Sequence, residues 1–318
     1  MTATSDCWLV GGASHDLPFH LWRRGYDVWL WNARGNMYSL DHVNMTWKNN
    51  NKFFLFSMHE LGYYDTTASI DYILNVTGHK SVITIGHSMG TTNVLIAAST
   101  RPEYENKIKL NVLFAPSVFT YNVVVKGLAD MGYSLLHWVN FQHQESFLEK
   151  GGQMLKLMDF FCDASSAYRD MCYTSLGLFS GYGSKQTVQE SGMKLMSKFP
   201  AGSSLNVLKQ QVQTFRTDEF KPLDYGRSEN LKRYGTHTPS PYPIGKARIP
   251  TALYYACCND FLCHAKDVLK LKKRLRNVVK FYPVPYKKFN HGDFLWAKDA
   301  YQLLYKDVLI LIDQYTPS

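Results

Sequence analysis

The sequence predicts an α/β fold with a mostly parallel sheet, flanked by helices and interrupted by a long helical insert. Three observations predict it. Short apolar runs alternate with helical patterns, a serine stands in a glycine-flanked turn between a strand and a helix, and the alternation stops between residues 117 and 247. Such alternation is typical of a parallel sheet that is covered on both faces. The chain has 318 residues, of which 45% are hydrophobic, so it can bury a large core, and global disorder is excluded.

Five short apolar, β-rich runs are predicted as strands. They span residues 26–31, 81–85, 109–115, 251–256 and 279–284. Helical spacing of apolar residues predicts helices over 65–77, from 86 to about 100, and near 297–314. We therefore predict a sheet-and-helix core formed by 1–116 and 248–318. Residues 117–247 are predicted to be an inserted, mostly helical cap.

The charge balance is basic, with 35 Lys and Arg against 26 Asp and Glu, a formal net charge of +9. This favours anionic partners such as nucleic acid or anionic lipid surfaces, but the basic residues are scattered apart from a run at 270–276. That run is predicted to be the solvated face of a helix, and a membrane-surface or nucleic-acid patch is the alternative.

No apolar stretch is long enough for a transmembrane helix. The cysteines and histidines show no zinc-ligand spacing.

The motif Gly-His-Ser-Met-Gly at 86–90 carries the predicted chemistry. Alone it is a weak signal, but here it follows a predicted buried strand and opens a predicted helix, as the nucleophile elbow of α/β-hydrolases requires. Gly86 and Gly90 are expected to leave space where a β-carbon would clash. The backbone N–H of Met89 is expected to donate to an oxyanion at the helix N-terminus. A purely structural strand–helix turn is the alternative.

A serine hydroxyl needs a base, and the base needs a group to orient it. In α/β-hydrolases the chain order is nucleophile, acid, histidine. Asp260 follows the predicted strand 251–256, and His291 stands in the loop before the last helix. Asp267 is less favoured because it falls inside the next helix. We therefore predict a triad of Ser88, Asp260 and His291.

Taken together, five segments of the chain resemble the acid lipases of the gastric and lysosomal type, including their insect relatives. These segments are 25–36, 63–65 with 70–73, 86–92, 200–204 and 290–296. The resemblance covers nearly the whole chain, and it places the family's Ser–Asp–His triad on the residues named above. It implies hydrolysis of triacylglycerols or steryl esters without a cofactor or metal. It also implies a lid within the cap and peripheral contact with a lipid interface, rather than with nucleic acid.

The resemblance further implies a cap disulfide and glycosylation, in a secreted or lysosomal setting. From the residues alone, Cys162 and Cys172 fit either a short disulfide or two free thiols. The family's cap disulfide matches the bonded form. The sequons Asn44-Met-Thr and Asn75-Val-Thr match its glycosylation.

The sequence departs from the family in three places. Met89 stands where Gln usually follows the serine, and Thr66-Thr67 replaces a usual proline. The family's His-Gly-Leu segment, which supplies a second oxyanion N–H, is absent before Thr4. We therefore expect an N-terminally truncated sequence that lacks a signal peptide and a strand between 26–31 and 81–85. We expect this chain, expressed alone, to fold poorly or to be weakly active.

Two other functions stay open. The first is a catalytically weak or inactive lipid-binding protein on the same scaffold, because the upstream oxyanion strand is absent. The second is a hydrolase of small soluble esters, although a cap rich in Phe, Leu and Met favours a large apolar substrate.

Overall fold

A computed structural model describes residues 3–48, 52–127, 146–147 and 199–316. Between these ranges it also describes residues 156, 160–162, 165–168, 170–171, 174, 177, 180–186 and 191–192. No helix in the described ranges is both long enough and apolar enough to span a lipid bilayer.

A four-stranded parallel sheet forms the centre of the molecule. In spatial order its strands are β1 (Val82–His87), β2 (Ile108–Phe114), β5 (Thr251–Tyr255) and β6 (Val278–Pro283). A two-residue antiparallel pair, β3 (Ser146–Phe147) and β4 (Ser203–Ser204), lies between β2 and β5 in the chain. The inner strands β2 and β5 are almost wholly buried, as expected for parallel strands covered on both faces.

Nine α-helices surround the sheet in the described part of the chain. They are α1 (Leu17–Arg23), α2 (Met58–Glu60), α3 (Thr67–Thr77), α4 (Met89–Thr100), α5 (Leu205–Thr217), α6 (Arg227–Tyr234), α7 (Ala265–Arg274), α8 (Asp293–Trp296) and α9 (Lys306–Tyr315). Helix α4 is buried along nearly its whole length. It ends before Pro102, which cannot continue the helix. Helix α3 ends at Gly78, whose φ of 71° suits glycine.

The predicted α/β fold is confirmed, and four of the five predicted strands form the sheet within one or two residues of their predicted bounds. The predicted final helix begins later, because Ala297 is extended and a short π-helix (Tyr301–Tyr305) precedes α9. Helix α3 is likewise preceded by a short π-helix (Leu61–Thr66).

The predicted strand at 26–31 is wrong. These residues have no regular secondary structure, and they pair with no strand in the described chain. They and β1, the edge strand of the sheet, line the same cavity. A strand is defined by its ladder of hydrogen bonds to a neighbouring strand. Residues 26–31 border the cavity instead of such a neighbour, so the segment forms no ladder. That a further strand belongs between these two segments stays a prediction.

Residues 117–247 contribute α5, α6 and the β3–β4 pair, but no strand of the central sheet in their described part. Helix α5 buries Val207, Val212 and Phe215 on one face, with apolar residues at helical spacing. The role of residues 117–247 as a cap stays a prediction, since much of this segment lies outside the described residues.

Candidate active site

Ser88 occupies a sharp turn between β1 and α4. Its φ of 54° and ψ of −124° are rare for a residue with a side chain, a conformation that costs about 1–3 kcal/mol and persists only when neighbours enforce it. Two backbone hydrogen bonds hold Ser88 in this conformation. The Ser88 N–H donates to the carbonyl oxygen of Phe114 on β2 at 2.9 Å, and the Thr91 N–H donates to the Ser88 carbonyl at 3.0 Å. The turn therefore presents the Ser88 hydroxyl beyond the carboxyl end of the sheet.

The two glycines of the motif differ in their surroundings. A β-carbon on Gly86 would lie 2.9 Å from the carbonyl carbon of Gly90, so the predicted steric need for glycine is confirmed there. The same prediction is wrong for Gly90, whose β-carbon would meet no described atom within 4 Å. The reason is that Gly90 lies against the cavity rather than against packed backbone.

Asp260 and His291 are joined directly. Nδ1 of His291 lies 2.9 Å from both carboxylate oxygens of Asp260, whose side chain is completely buried. Oδ1 of Asp260 also accepts from the N–H groups of Leu262 at 3.0 Å and Cys263 at 2.8 Å. These bonds fix the carboxylate in the loop after β5. With Nδ1–H donating to Asp260, Nε2 of His291 keeps a lone pair that can accept a proton.

His291 is also held through its backbone. Its N–H donates to the carbonyl oxygen of Ser180 at 3.0 Å, and Nε2 of His87 lies 2.9 Å from its carbonyl oxygen. Burial, and to a smaller degree the neighbouring His291, hold the pKa of His87 well below its ordinary value. His87 is therefore neutral, and its Nε2–H is the donor. Sequence reasoning missed His87 and Ser180, although His87 stands inside the serine motif.

The Ser88 hydroxyl makes no hydrogen bond to His291 in this structure. Among the described residues, its hydrogen-bond partner is the Ser117 hydroxyl at 3.5 Å. Ser88 and His291 nevertheless line one cavity. Catalytic hydrogen bonds are often long in proteins without substrate and tighten when substrate binds. The structure therefore joins two of the three predicted residues and places the third at the same cavity.

Met89 opens α4 directly after Ser88. The N–H groups in the first turn of a helix have no intrahelical acceptor, and the helix dipole makes this end electropositive. That the Met89 N–H stabilises an oxyanion at Ser88 agrees with this position and stays a prediction.

The cavity has a volume of about 1620 Å³. It extends from Ser88 along β1 and reaches residues 25–31 on its other side. Large apolar side chains form much of its wall, among them Trp8, Val94, Phe199, Leu208, Phe215 and Leu262. A site of this kind suits an apolar substrate with one polar reacting group.

Comparison with known proteins decides the family. The model of the alpha/beta hydrolase fold family matches residues 11–144. Lipase 3 of Drosophila melanogaster is 34% identical over 99% of this chain and 80% of its own length. Human gastric triacylglycerol lipase is 29% identical over 99% of this chain and 78% of its own length.

The chain belongs to the acid lipase family. The predicted resemblance is thereby confirmed, and this acid lipase is a carboxylic ester hydrolase. Among solved structures, a monoglyceride lipase of Saccharomyces cerevisiae superposes with a TM-score of 0.55 at 14% identity, covering 95% of this chain and 82% of the yeast one. At that identity the likeness supports the fold alone.

The cysteines of this acid lipase are arranged differently from what the sequence suggested. Cys162 is disulfide-bonded, but its predicted partner Cys172 lies outside the described residues, so their pairing stays a prediction. Cys257 and Cys258, adjacent in the chain, form a disulfide that was not predicted. It lies in the loop between β5 and Asp260.

The two predicted glycosylation residues, Asn44 and Asn75, are both exposed. Asn44 lies in a loop, and Asn75 lies in the last turn of α3. Their exposure is compatible with glycosylation, which stays a prediction.

Proposed function

We propose that this acid lipase hydrolyses lipid esters, triacylglycerols or steryl esters, through a triad of Ser88, His291 and Asp260. One observation carries the proposal. The buried Asp260–His291 pair opens onto the same apolar cavity as a serine held in a strained turn. Three groups that follow three strands line or adjoin this cavity, and a nucleophile, a base and an orienting carboxylate are the parts that acyl transfer needs.

The proposed reaction is acyl transfer through Ser88. Its Oγ bonds to the ester carbonyl carbon while its proton passes to Nε2 of His291. Asp260 stabilises the resulting imidazolium, and the Met89 N–H stabilises the oxyanion. The alcohol leaves with the proton from Nε2. Water then attacks the acyl ester of Ser88 by the same steps in reverse, which releases the acid and the free hydroxyl.

Three features support a lipid rather than a small soluble ester. The cavity is large and its walls are mostly apolar, the relatives include a triacylglycerol lipase, and residues 117–247 are proposed to be a cap over the site. We also propose a secreted or lysosomal location, since the disulfides at Cys162 and Cys257–Cys258 require an oxidising compartment.

A fluorophosphonate probe and a pair of ester substrates test the proposal. The probe should label Ser88 in the native chain but not in Ser88→Ala, and Ser117→Ala should be labelled as the native chain is. Long-chain esters should be hydrolysed with a higher kcat/KM than short-chain ones. Full esterase activity in Ser88→Ala would refute the triad, and a preference for short chains would refute the lipid substrate.

A second candidate is a lipid-binding protein with little turnover. It is favoured by the hydrogen bond of the Ser88 hydroxyl, which is to Ser117 rather than to His291. A chain that binds long-chain lipids but is not labelled by the fluorophosphonate would support this candidate over the first.

A further inference from the structure

Basic side chains gather at the amino-terminal edge of the central sheet, where its four strands begin. We define the basic edge as the six exposed cationic residues that precede β1, β5 and β6. They are Lys80, Lys246, Arg248, Lys273, Arg274 and Arg276. The run at 270–276 supplies half of them, and the others come from two separate segments of the chain.

Backbone contacts bring these segments together. Val82 at the start of β1 pairs with Ile108 of β2, and Thr251 of β5 pairs with Val278 of β6. The side-chain amide of Asn277 donates to the carbonyl oxygen of Arg248 at 2.9 Å. Because neighbouring strands are ~4.8 Å apart, the four strand starts span roughly 14 Å. The basic edge is therefore a row of cations rather than a pocket.

The carboxylates beside the row do not neutralise it. Asp71 pairs with Lys107 and Glu103 pairs with Arg101, each at 2.6 Å. Glu105 accepts from the backbone N–H of Arg248 at 3.0 Å. Among the described ion pairs, none includes a residue of the basic edge. Six cations thus face solvent, and Glu105 is the neighbouring carboxylate that forms no described ion pair, although it accepts the backbone N–H of Arg248.

We propose that the basic edge binds a linear sulfated polysaccharide. Three of its members are arginines, whose planar guanidinium groups bind two oxygens of an oxyanion at once. A row of separate cations suits a chain of repeated anionic groups better than a single anion. The inference rests on the secreted or lysosomal location proposed above, with which the disulfide Cys257–Cys258 agrees. In such a location the linear polyanions are sulfated glycans rather than nucleic acids.

The position of the edge favours a glycan over a lipid bilayer. Ser88 follows the carboxyl end of β1, and His291 follows that of β6, so the proposed reacting groups lie at the opposite edge of the sheet. A bilayer bound at the basic edge would lie on the far side of the molecule from the reacting serine. A bound glycan would retain the protein and leave its active site open.

Binding of a heparin oligosaccharide to the full chain, measured by calorimetry near physiological salt, tests the proposal. The test variant is Arg248→Gln/Lys273→Gln/Arg276→Gln. The control is Lys266→Gln/Lys287→Gln/Lys298→Gln, which removes the same charge from exposed lysines that follow the carboxyl ends of β5 and β6. We expect the test variant to raise Kd at least ~10-fold and to flatten its salt dependence, since fewer counterions are released. The control should change Kd less than ~2-fold.

Three results would overturn the proposal. They are no binding by the native chain, equal weakening in both variants, or stronger binding to anionic phospholipid vesicles or to duplex DNA than to the oligosaccharide. The thermal midpoint of each variant verifies folding. If the triple variant unfolds early, the double variant Lys246→Gln/Lys273→Gln, which changes only exposed lysines, replaces it. Its Kd is then compared with that of a control in which two of the three control lysines are changed.

Discussion

The side chain of His87 is hydrogen-bonded to the backbone of His291. Nε2 of His87 lies 2.9 Å from the carbonyl oxygen of His291, and the two rings lie 4.8 Å apart. His87 precedes Ser88 in the chain, so the turn that carries the serine contacts the loop that carries the proposed base. This contact couples the positions of two groups that are 203 residues apart in sequence (88 and 291).

Removing this contact should slow the reaction without weakening substrate binding. We expect His87→Phe, which keeps a ring but loses the donor, to lower kcat ~10–100-fold with KM nearly unchanged, because the base is displaced from the serine. His87→Gln keeps an N–H donor and should lose less. The rate of fluorophosphonate labelling measures the same effect on Ser88 directly. Wild-type labelling in His87→Phe would contradict this role.

The neutral His87 should make the native chain sensitive to acid. Its folded-state pKa is held well below the ordinary value of ~6.5 by burial. Below about pH 6.5 the unfolded chain therefore takes up a proton that the folded chain does not. We expect the free energy of unfolding to fall as the pH is lowered. The contribution of this residue to that slope is up to ~1.4 kcal/mol per pH unit.

Urea unfolding between about pH 7 and pH 5 measures that slope. In His87→Gln the slope should be shallower than in the native chain. His79→Gln, at an exposed position, is the control and should leave the slope as it was. An unchanged slope in His87→Gln would show that His87 is protonated in the folded chain.

Replacing Asp260 should remove the orientation of His291. In Asp260→Asn the amide can hold the imidazole in the wrong tautomer, and we expect kcat to fall about 10⁴-fold. Asp267→Asn is a matched control, because Asp267 is also buried but contacts Asn122 instead of a histidine. Ester hydrolysis and thermal unfolding of both variants make the comparison. Comparable losses of activity would remove Asp260 from the triad.

The two glycines of the serine motif should respond differently to alanine. Gly86→Ala places its β-carbon 2.9 Å from backbone and should destabilise the chain by about 1–3 kcal/mol. Gly90→Ala enters open space in the first turn of α4 and should be neutral or stabilise by up to ~1 kcal/mol. Denaturant midpoints at equal m-values report both changes. Equal destabilisation would mean that the space beside Gly90 is filled in solution.

The sequence predicted features that are encoded locally. The buried strands β2 and β5 stand out because both of their faces are covered, which makes their apolar runs continuous. Ser88 was found from its motif between a strand and a helix. Asp260 and His291 were found because side chains after parallel strands meet at one edge of the sheet, and the structure joins them at 2.9 Å.

The features that the sequence missed depend on partners far away in the chain. Residues 26–31 have the composition of a strand, but pairing requires a neighbour that composition does not reveal. The contact of His87 with His291 forms only after β1 and the last loop are brought together. The Cys257–Cys258 disulfide depends on the redox state, and adjacent cysteines in a sequence do not specify it.

The open side of β1 has a consequence for the behaviour of the protein in concentrated solution. Its main-chain amides and carbonyls pair with β2 on one side only within the described chain. A strand in that condition is a template on which a second polypeptide can add. The apparent molar mass measured by light scattering should therefore rise with protein concentration, and a single proline within Val82–Ile85 facing the open side should suppress the rise.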